Sequence, residues 1–440
     1  MVLSKKFKMP LNKFFFGLLI ILFFIVSCEE VDDQTIAKGN EWQAANPLPT
    51  KRDFKRINQQ HKILVAVIDS GVDYNHPNLV NNIHFDLDIN GAPKAYGYDF
   101  VGEDTWASPY VARTLDLNPQ ANKEDSTESR LTRNKAWQLI KMQPQLAPYL
   151  DPSRNVEQEI DSGAYHGTHV AGLISYDQPE LGVLAYRVLP INIKYEAGRR
   201  VVKGSPTEVI FNNILQAMSL AIKAGARVIN MSLALKPNDN TLFGGSDSNQ
   251  NQYKEWIQKV RKYMEMNPHV VFVAAAGNEG RWVDDVSNLQ LPCGISAKNL
   301  ICVGALNEDS SLAAFSNIVL SESAFVMTTG VKVNSLYPVQ MCDSSYIAGL
   351  NLDLENKSKF VEVAEKILAD CKGKKSLYRS TGTSMSSPIV AREIAKIFLK
   401  RSTLSGVEAI QQLLDESEVL RKGPLMFHRV KFETPSWSPH

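Results

Sequence analysis

The chain has 440 residues, 44% hydrophobic and 22% charged, the balance of an ordinary globular protein. That length accommodates two or three domains or one large α/β core. A formal net charge of +1 gives no basic face of the kind nucleic acid requires, and neither a fixed-period repeat nor a low-complexity tract is present.

The N-terminus reads as an export signal. Lys5, Lys6, Lys8 and Lys13 form a basic region, and Phe14–Val26 is an unbroken apolar run of 13 residues. A membrane span needs roughly 20, so the run suits a signal peptide over residues 1–27. It ends Ile25-Val26-Ser27-Cys28, which resembles a bacterial lipobox. The resemblance implies acylation at Cys28, a membrane anchor and a location in the bacterial cell envelope. Loss of residues 1–27 removes four Lys and no acid, which moves the formal charge from +1 to −3. Export permits disulfides among Cys293, Cys302, Cys342 and Cys371, for which three pairings are possible. None has zinc-type spacing with His.

Residues 28–60 are polar and read as a tether and entry segment. Lys62–Ile68 is a buried-strand run that ends at Asp69. Residues 102–160 are rich in charged residues, Asn and Pro, with one helical patch around Ala136–Met142, and suit a surface insertion. Leu184–Lys194 is the next strand-like stretch. Ser205-Pro206-Thr207-Glu208 fits a capping box before a helix with Ile210, Ile214, Ala217, Met218, Ala221 and Ile222 on one face, and Gly225 can end that helix. The strand Arg227–Leu233, a helix carrying Trp256, Val260, Tyr263 and Met264, and the strands His269–Ala276 and Leu300–Ala305 follow. Ser386–Lys400 has helical apolar spacing, and residues 406–440 read as a C-terminal extension after a core over 61–405. Such alternation implies a parallel sheet with helices on both faces, with ligands beyond the strands' carboxyl ends.

Four clusters carry chemistry. Asp69-Ser70-Gly71 recurs as Asp161-Ser162-Gly163, which raises the paired carboxylates of an aspartic protease. Each copy would then have to follow an apolar strand, and Arg154–Glu159 is polar. His166-Gly167-Thr168-His169 offers a general base, or a His-x-x-His metal pair. Ala276-Gly277-Asn278 puts an amide after a strand, as an oxyanion donor or a turn residue. Gly382-Thr383-Ser384-Met385-Ser386 puts Ser384 near unpaired N–H groups at a helix mouth, as a nucleophile or a cap. It departs from the Gly-x-Ser-x-Gly of α/β-hydrolases.

The order Asp69, His166, Asn278, Ser384 changes the odds. Val65–Asp73, His166–Gly172, Val228–Leu233, Ala276–Asn278 and Gly382–Pro388 together resemble the subtilisin-like serine proteases (subtilases) over about residues 60–400. The resemblance implies a three-layer αβα fold around a central, mostly parallel twisted sheet. It implies Ser384 as nucleophile, His166 as base, Asp69 as its orienting carboxylate and Asn278 as oxyanion donor. Ser232, Leu233 and Ala234 would line the substrate groove, with Ala234 where the family usually has Gly. His169 is assigned to structure. Phe325–Gly330 stands where the family commonly has Ala-Pro-Gly, and Ile389 and Arg392 replace its frequent His and Gly. No cofactor or metal is required by these motifs; structural calcium occurs in the family, but its ligand loops find no match here.

The expected protein is therefore a monomeric, lipid-anchored serine endopeptidase acting on proteins or peptides. The alternative is a catalytically silent surface lipoprotein that keeps the fold for binding. About 32 residues separate Cys28 from the first strand, too few for a folded pro-domain, so the chain is expected to fold without one or to cover its cleft with residues 102–160.

Overall fold

The computed structural model describes residues 49–100, 103–109, 165–189, 193–196, 199–202, 207–235, 250–283, 290–320, 323–338, 377–422, 425–432, 435 and 437. The signal, Cys28, Ser205 and Pro206, most of the 102–160 insertion, the Asp161 copy, Cys342 and Cys371 lie outside them.

A nine-stranded sheet runs through the unit Ala44–His440. Its strands are β1 (Ile63–Asp69), β2 (Tyr98–Asp99), β3 (Leu181–Arg187), β4 (Ala226–Met231), β5 (Val271–Ala275), β6 (Leu300–Leu306), β7 (Ala324–Thr329), β8 (Glu418–Lys422) and β9 (Leu425–Arg429). Across the sheet they lie β8-β9-β7-β6-β5-β4-β1-β3-β2. Every neighbouring pair is parallel except the β8–β9 hairpin at one edge. β3, β5 and β6 are buried along their whole length, which is why they read as continuous apolar runs.

The described helices include α1 (Phe54–Gln60), α2 (His166–Ser175), α3 (Thr207–Lys223), α4 (Gln250–Glu265), α5 (Thr383–Lys400) and α6 (Gly406–Glu416). Alternate side chains divide the sheet's two faces, as a two-residue repeat requires. Val65, Val67, Val183, Ala185 and Val273 pack with α2, α5 and α6. Ala66, Ile68, Leu184, Phe272 and Ala274 pack with α3 and α4. The result is the expected αβα sandwich. Gly225 ends α3 with φ +91°, a conformation glycine adopts without strain.

Two expectations differ from what is seen. The strand expected over Leu184–Lys194 is β3 alone, and Ile193–Glu196 pairs instead with Arg199–Val202 in a separate hairpin. Pro190 stands between them, and proline cannot donate to a ladder. Beyond residue 405 the chain continues the same sheet, because β9 pairs with β7. A capping box between Ser405 and Glu408 starts α6, which leads into that hairpin. Of the possible disulfides, Cys293–Cys302 forms, with its Cα atoms 5.5 Å apart.

One arginine ties β4 to the far end of α5. Arg227 Nε donates to His269 O at 2.9 Å, and its two terminal nitrogens donate to Ser402 O and Leu404 O at 2.8 Å each. The guanidinium carbon lies 4.1 Å from the Phe398 ring centroid. An ammonium can reproduce neither the fork nor the stacking. Arg227→Lys is expected to cost about 2 kcal/mol in urea unfolding, although the charge is kept.

Candidate active site

The parallel order puts the carboxyl ends of β1, β4 and β5 side by side, and the residues singled out by motif leave from those ends. Asp69 closes β1 and is fully buried. Its Oδ1 accepts from Ser70 N at 2.6 Å. His166 opens α2, and its Nδ1 lies 2.8 and 2.9 Å from the two Asp69 carboxylate oxygens. A carboxylate only accepts, so the contact holds the proton on Nδ1 and leaves Nε2 as the basic nitrogen.

Two glycines make this approach possible. A Cβ on Gly167 would fall on the Gly71 carbonyl oxygen, and one on Gly71, whose φ is +94°, would fall on the Ser108 carbonyl. The turn is then laced to the helix. Gly167 N donates to Ser70 Oγ at 3.0 Å, and Asp73 N donates to Thr168 Oγ1 at 2.9 Å.

Asn278 follows β5 and is exposed. Its Oδ1 accepts from Thr383 N at 2.9 Å and from Thr383 Oγ1 at 3.0 Å. Thr383 Oγ1 in turn accepts from Gly277 N at 3.1 Å. Two donors on one amide oxygen fix the amide's orientation and turn Nδ2 away from Thr383. Thr383 is the first residue of α5 and Ser384 the second, so Ser384 N–H is among the helix's opening donors, which lack intrahelical partners.

Ser384 is half-buried, and its Oγ donates to Ser232 O at 3.2 Å. Ser232 Oγ donates to Ser384 O at 2.9 Å and lies 2.8 Å from Ser387 Oγ. The reason is covalent. Pro388 lies inside α5, so the carbonyl four residues back, that of Ser384, loses its helical donor. Ser232 supplies the missing hydrogen bond. Its side chain therefore grips the helix, and Leu233 packs into the apolar core. Ala234 is half-buried, its Cβ 3.4 Å from where a Cβ on Gly277 would stand.

His169 faces away from this chemistry. Its Nε2 donates to Val333 O and Tyr378 O at 3.1 Å each. Burial first, and the neighbouring His166 second, push its pKa down to about 3. Among the described residues no group of three or more His, Cys, Asp or Glu is arranged to hold a metal.

The subtilase family model, Peptidase_S8, matches residues 60–429. The chain belongs to the subtilase family. That is a family of serine proteases. Subtilisin DY of Bacillus licheniformis is 30% identical over 57% of this chain and 69% of its own length. Subtilisin NAT of Bacillus subtilis subsp. natto is 27% identical over 63% of this chain and about half its own length (49%). Among solved structures, a lanthipeptide protease aligns with a TM-score of 0.48 at 18% identity, covering 88% of this chain and 91% of its own.

Sequence reading passed over Thr383 as a contributor and did not single out Asn317. Asn317 is fully buried, and its bonds run to the Asn278 loop. No local pattern marks it, because its partners lie 36 to 41 positions away.

Protonation of His169 and the half-buried His84 contributes to the loss of stability in acid. His84 lies 3.0 Å from His61, Nδ1 to Nδ1, and burial, then His61, lower its pKa to about 4. With folded values near 3 and 4 against an ordinary 6.5, His169 and His84 take up protons more readily when unfolded. Their contribution is complete above about pH 6.5 and is lost as pH falls toward their folded values. The urea midpoint is expected to hold between pH 8 and 7 and to fall between about 6.5 and 5, before most carboxylates titrate.

Proposed function

We propose that this chain is a serine endopeptidase that cleaves proteins or peptides through Asp69, His166 and Ser384, with Asn278 Nδ2 and Ser384 N–H as oxyanion donors. The observation that carries the reading is the bifurcated contact of His166 Nδ1 with a buried carboxylate that ends a core strand. It is supported by the Ser384 hydroxyl at a helix mouth beside an amide whose oxygen is already taken.

Catalysis begins when Ser384 Oγ leaves Ser232 O and turns to His166 Nε2. The imidazole takes the hydroxyl proton as Oγ bonds to the scissile carbonyl carbon, and the Asp69 carboxylate stabilises the imidazolium. The carbonyl oxygen becomes an oxyanion held by Asn278 Nδ2 and Ser384 N–H. Collapse breaks the C–N bond, and His166 returns its proton to the leaving amine. Water, deprotonated by the same nitrogen, then attacks the acyl carbon, and His166 passes that proton to Ser384 Oγ as the ester bond breaks, which releases the acid and restores the hydroxyl.

Export and acylation at Cys28 are part of the proposal. Their support is the basic stretch, the 13-residue apolar run and the residues before Cys28. Among the described residues no helix is long and apolar enough to cross a membrane. Incorporation of labelled palmitate by the full chain, absent from Cys28→Ala, is the expected result.

A fluorophosphonate probe with a peptide-library assay tests the chemistry. Wild-type protein is expected to be labelled at Ser384 and to cleave peptides, and Ser384→Ala to do neither. Asp69→Asn is expected to lower kcat about 10⁴-fold by presenting the wrong tautomer, whereas Asp161→Asn stays within about two-fold. Protein that folds but shows neither labelling nor cleavage favours a binding role instead.

A further inference from the structure

Asn317 lies between β6 and β7 and is fully buried. All of its side-chain hydrogen-bonding capacity goes to the loop that carries Asn278. Its Oδ1 accepts from Glu279 N at 3.2 Å and from Arg281 N at 2.9 Å. Its Nδ2 donates to Ala276 O at 3.0 Å and to Glu279 Oε2 at 2.6 Å. Its backbone N–H donates to Gly277 O at 3.0 Å. Residues 276, 277, 279 and 281 are thus held from one buried residue, and the residue between them, Asn278, is the one whose side chain reaches Thr383. Two backbone donors demand the oxygen, while a carbonyl and a carboxylate demand the nitrogen, so the amide has one satisfied orientation.

The far side of the loop is braced as well. Glu279 Oε2 also accepts from Gln290 Nε2 at 2.8 Å, and Gln290 is buried. Gly277 has φ +105°, and a Cβ there would strike Asn317 Nδ2. The loop therefore sits on Asn317 with no spacer between them.

We infer that Asn317 is a positioning residue that holds the loop at the place from which the Asn278 amide meets Thr383, and so sets the strength of the oxyanion site. The inference rests on the role proposed for Asn278. Asn317 touches no reacting atom and acts through the loop. A misplacement of about 1 Å remote from the reacting bond is enough to lower turnover by about 10²-fold.

Asn317→Asp tests it with nearly the same shape. It keeps acceptors for the Glu279 and Arg281 N–H groups but sets a carboxylate against Ala276 O and the Glu279 carboxylate. The expected result is a kcat about 10–100-fold lower with KM within about two-fold, measured on peptide substrate with protein whose cooperative unfolding is retained. Adding Glu279→Gln reverses the donor and acceptor between the two side chains and is expected to restore part of kcat. Asn278→Ala alone is expected to cost about 10²–10³-fold, the size such a donor carries in subtilisin, a relative. Asn278→Ala with Asn317→Asp is expected to be no slower than Asn278→Ala alone, because the second change acts only through the first residue.

Losses that multiply in the double variant overturn the inference, as does an Asn317→Asp variant with wild-type kcat. Asn317→Ser, which replaces the amide by a shorter hydroxyl, gives the same comparison where Asn317→Asp does not fold. An Asn278→Ala variant as fast as wild type overturns the oxyanion assignment itself, and the inference with it, and is told apart by that single variant.

Discussion

The site depends on one close approach, the backbone of Gly167 against the carbonyl of Gly71. A parallel sheet delivers strand ends to a common edge, but a side chain at the start of a helix meets a buried strand-terminal carboxylate only if the two backbones come close. With no Cβ on either glycine, the first turn of α2 settles onto the turn after β1. His166 then meets both oxygens of Asp69, and Ser70 Oγ takes up the Gly167 N–H that the helix leaves unpaired. Asp-Ser-Gly after β1 is thus a structural unit in which the carboxylate orients a histidine, the hydroxyl caps a helix and the glycine clears the space.

The other half of the site is organised by polar groups that satisfy one another. Thr383 holds the Asn278 amide by its oxygen, Ser232 fills the vacancy that Pro388 leaves on the Ser384 carbonyl, and Asn317 holds the loop from beneath. Each bond uses up a group that would otherwise be buried unsatisfied at a cost of about 1–3 kcal/mol. Asn278 Nδ2 and the Ser384 N–H take no part in these bonds. Preorganisation of this kind stabilises developing charge without reorganising at the moment of reaction.

The legible parts of the sequence were those encoded locally. The apolar run of β1, the helical repeat of α3 with Gly225 after it, and the motifs around Asp69, His166, Asn278 and Ser384 each show within a short window of the sequence. Asn317 does not, since its environment comes from pairing between elements that sequence spacing leaves unrelated. The β8–β9 hairpin was equally silent. As an edge ribbon it mixes charged and apolar residues without a two-residue period, and Glu418-Val419-Leu420-Arg421-Lys422 reads only as part of a C-terminal extension until β7 is there to receive the hairpin. Ser232 falls between these cases, because Pro388 announces a freed carbonyl without saying which side chain will fill it.

The central claim is that four residues from separate strands and helices converge on one reacting centre. A crystal structure of the protein after reaction with diisopropyl fluorophosphate tests it most directly. The account predicts phosphorus bonded to Ser384 Oγ, which has left Ser232 O, and a phosphoryl oxygen within hydrogen-bond distance of both Asn278 Nδ2 and Ser384 N. It also predicts His166 Nε2 beside the adduct, with Nδ1 still on Asp69. An adduct whose phosphoryl oxygen points to solvent, or a reagent bonded elsewhere while Ser384 stays on Ser232 O, would contradict it.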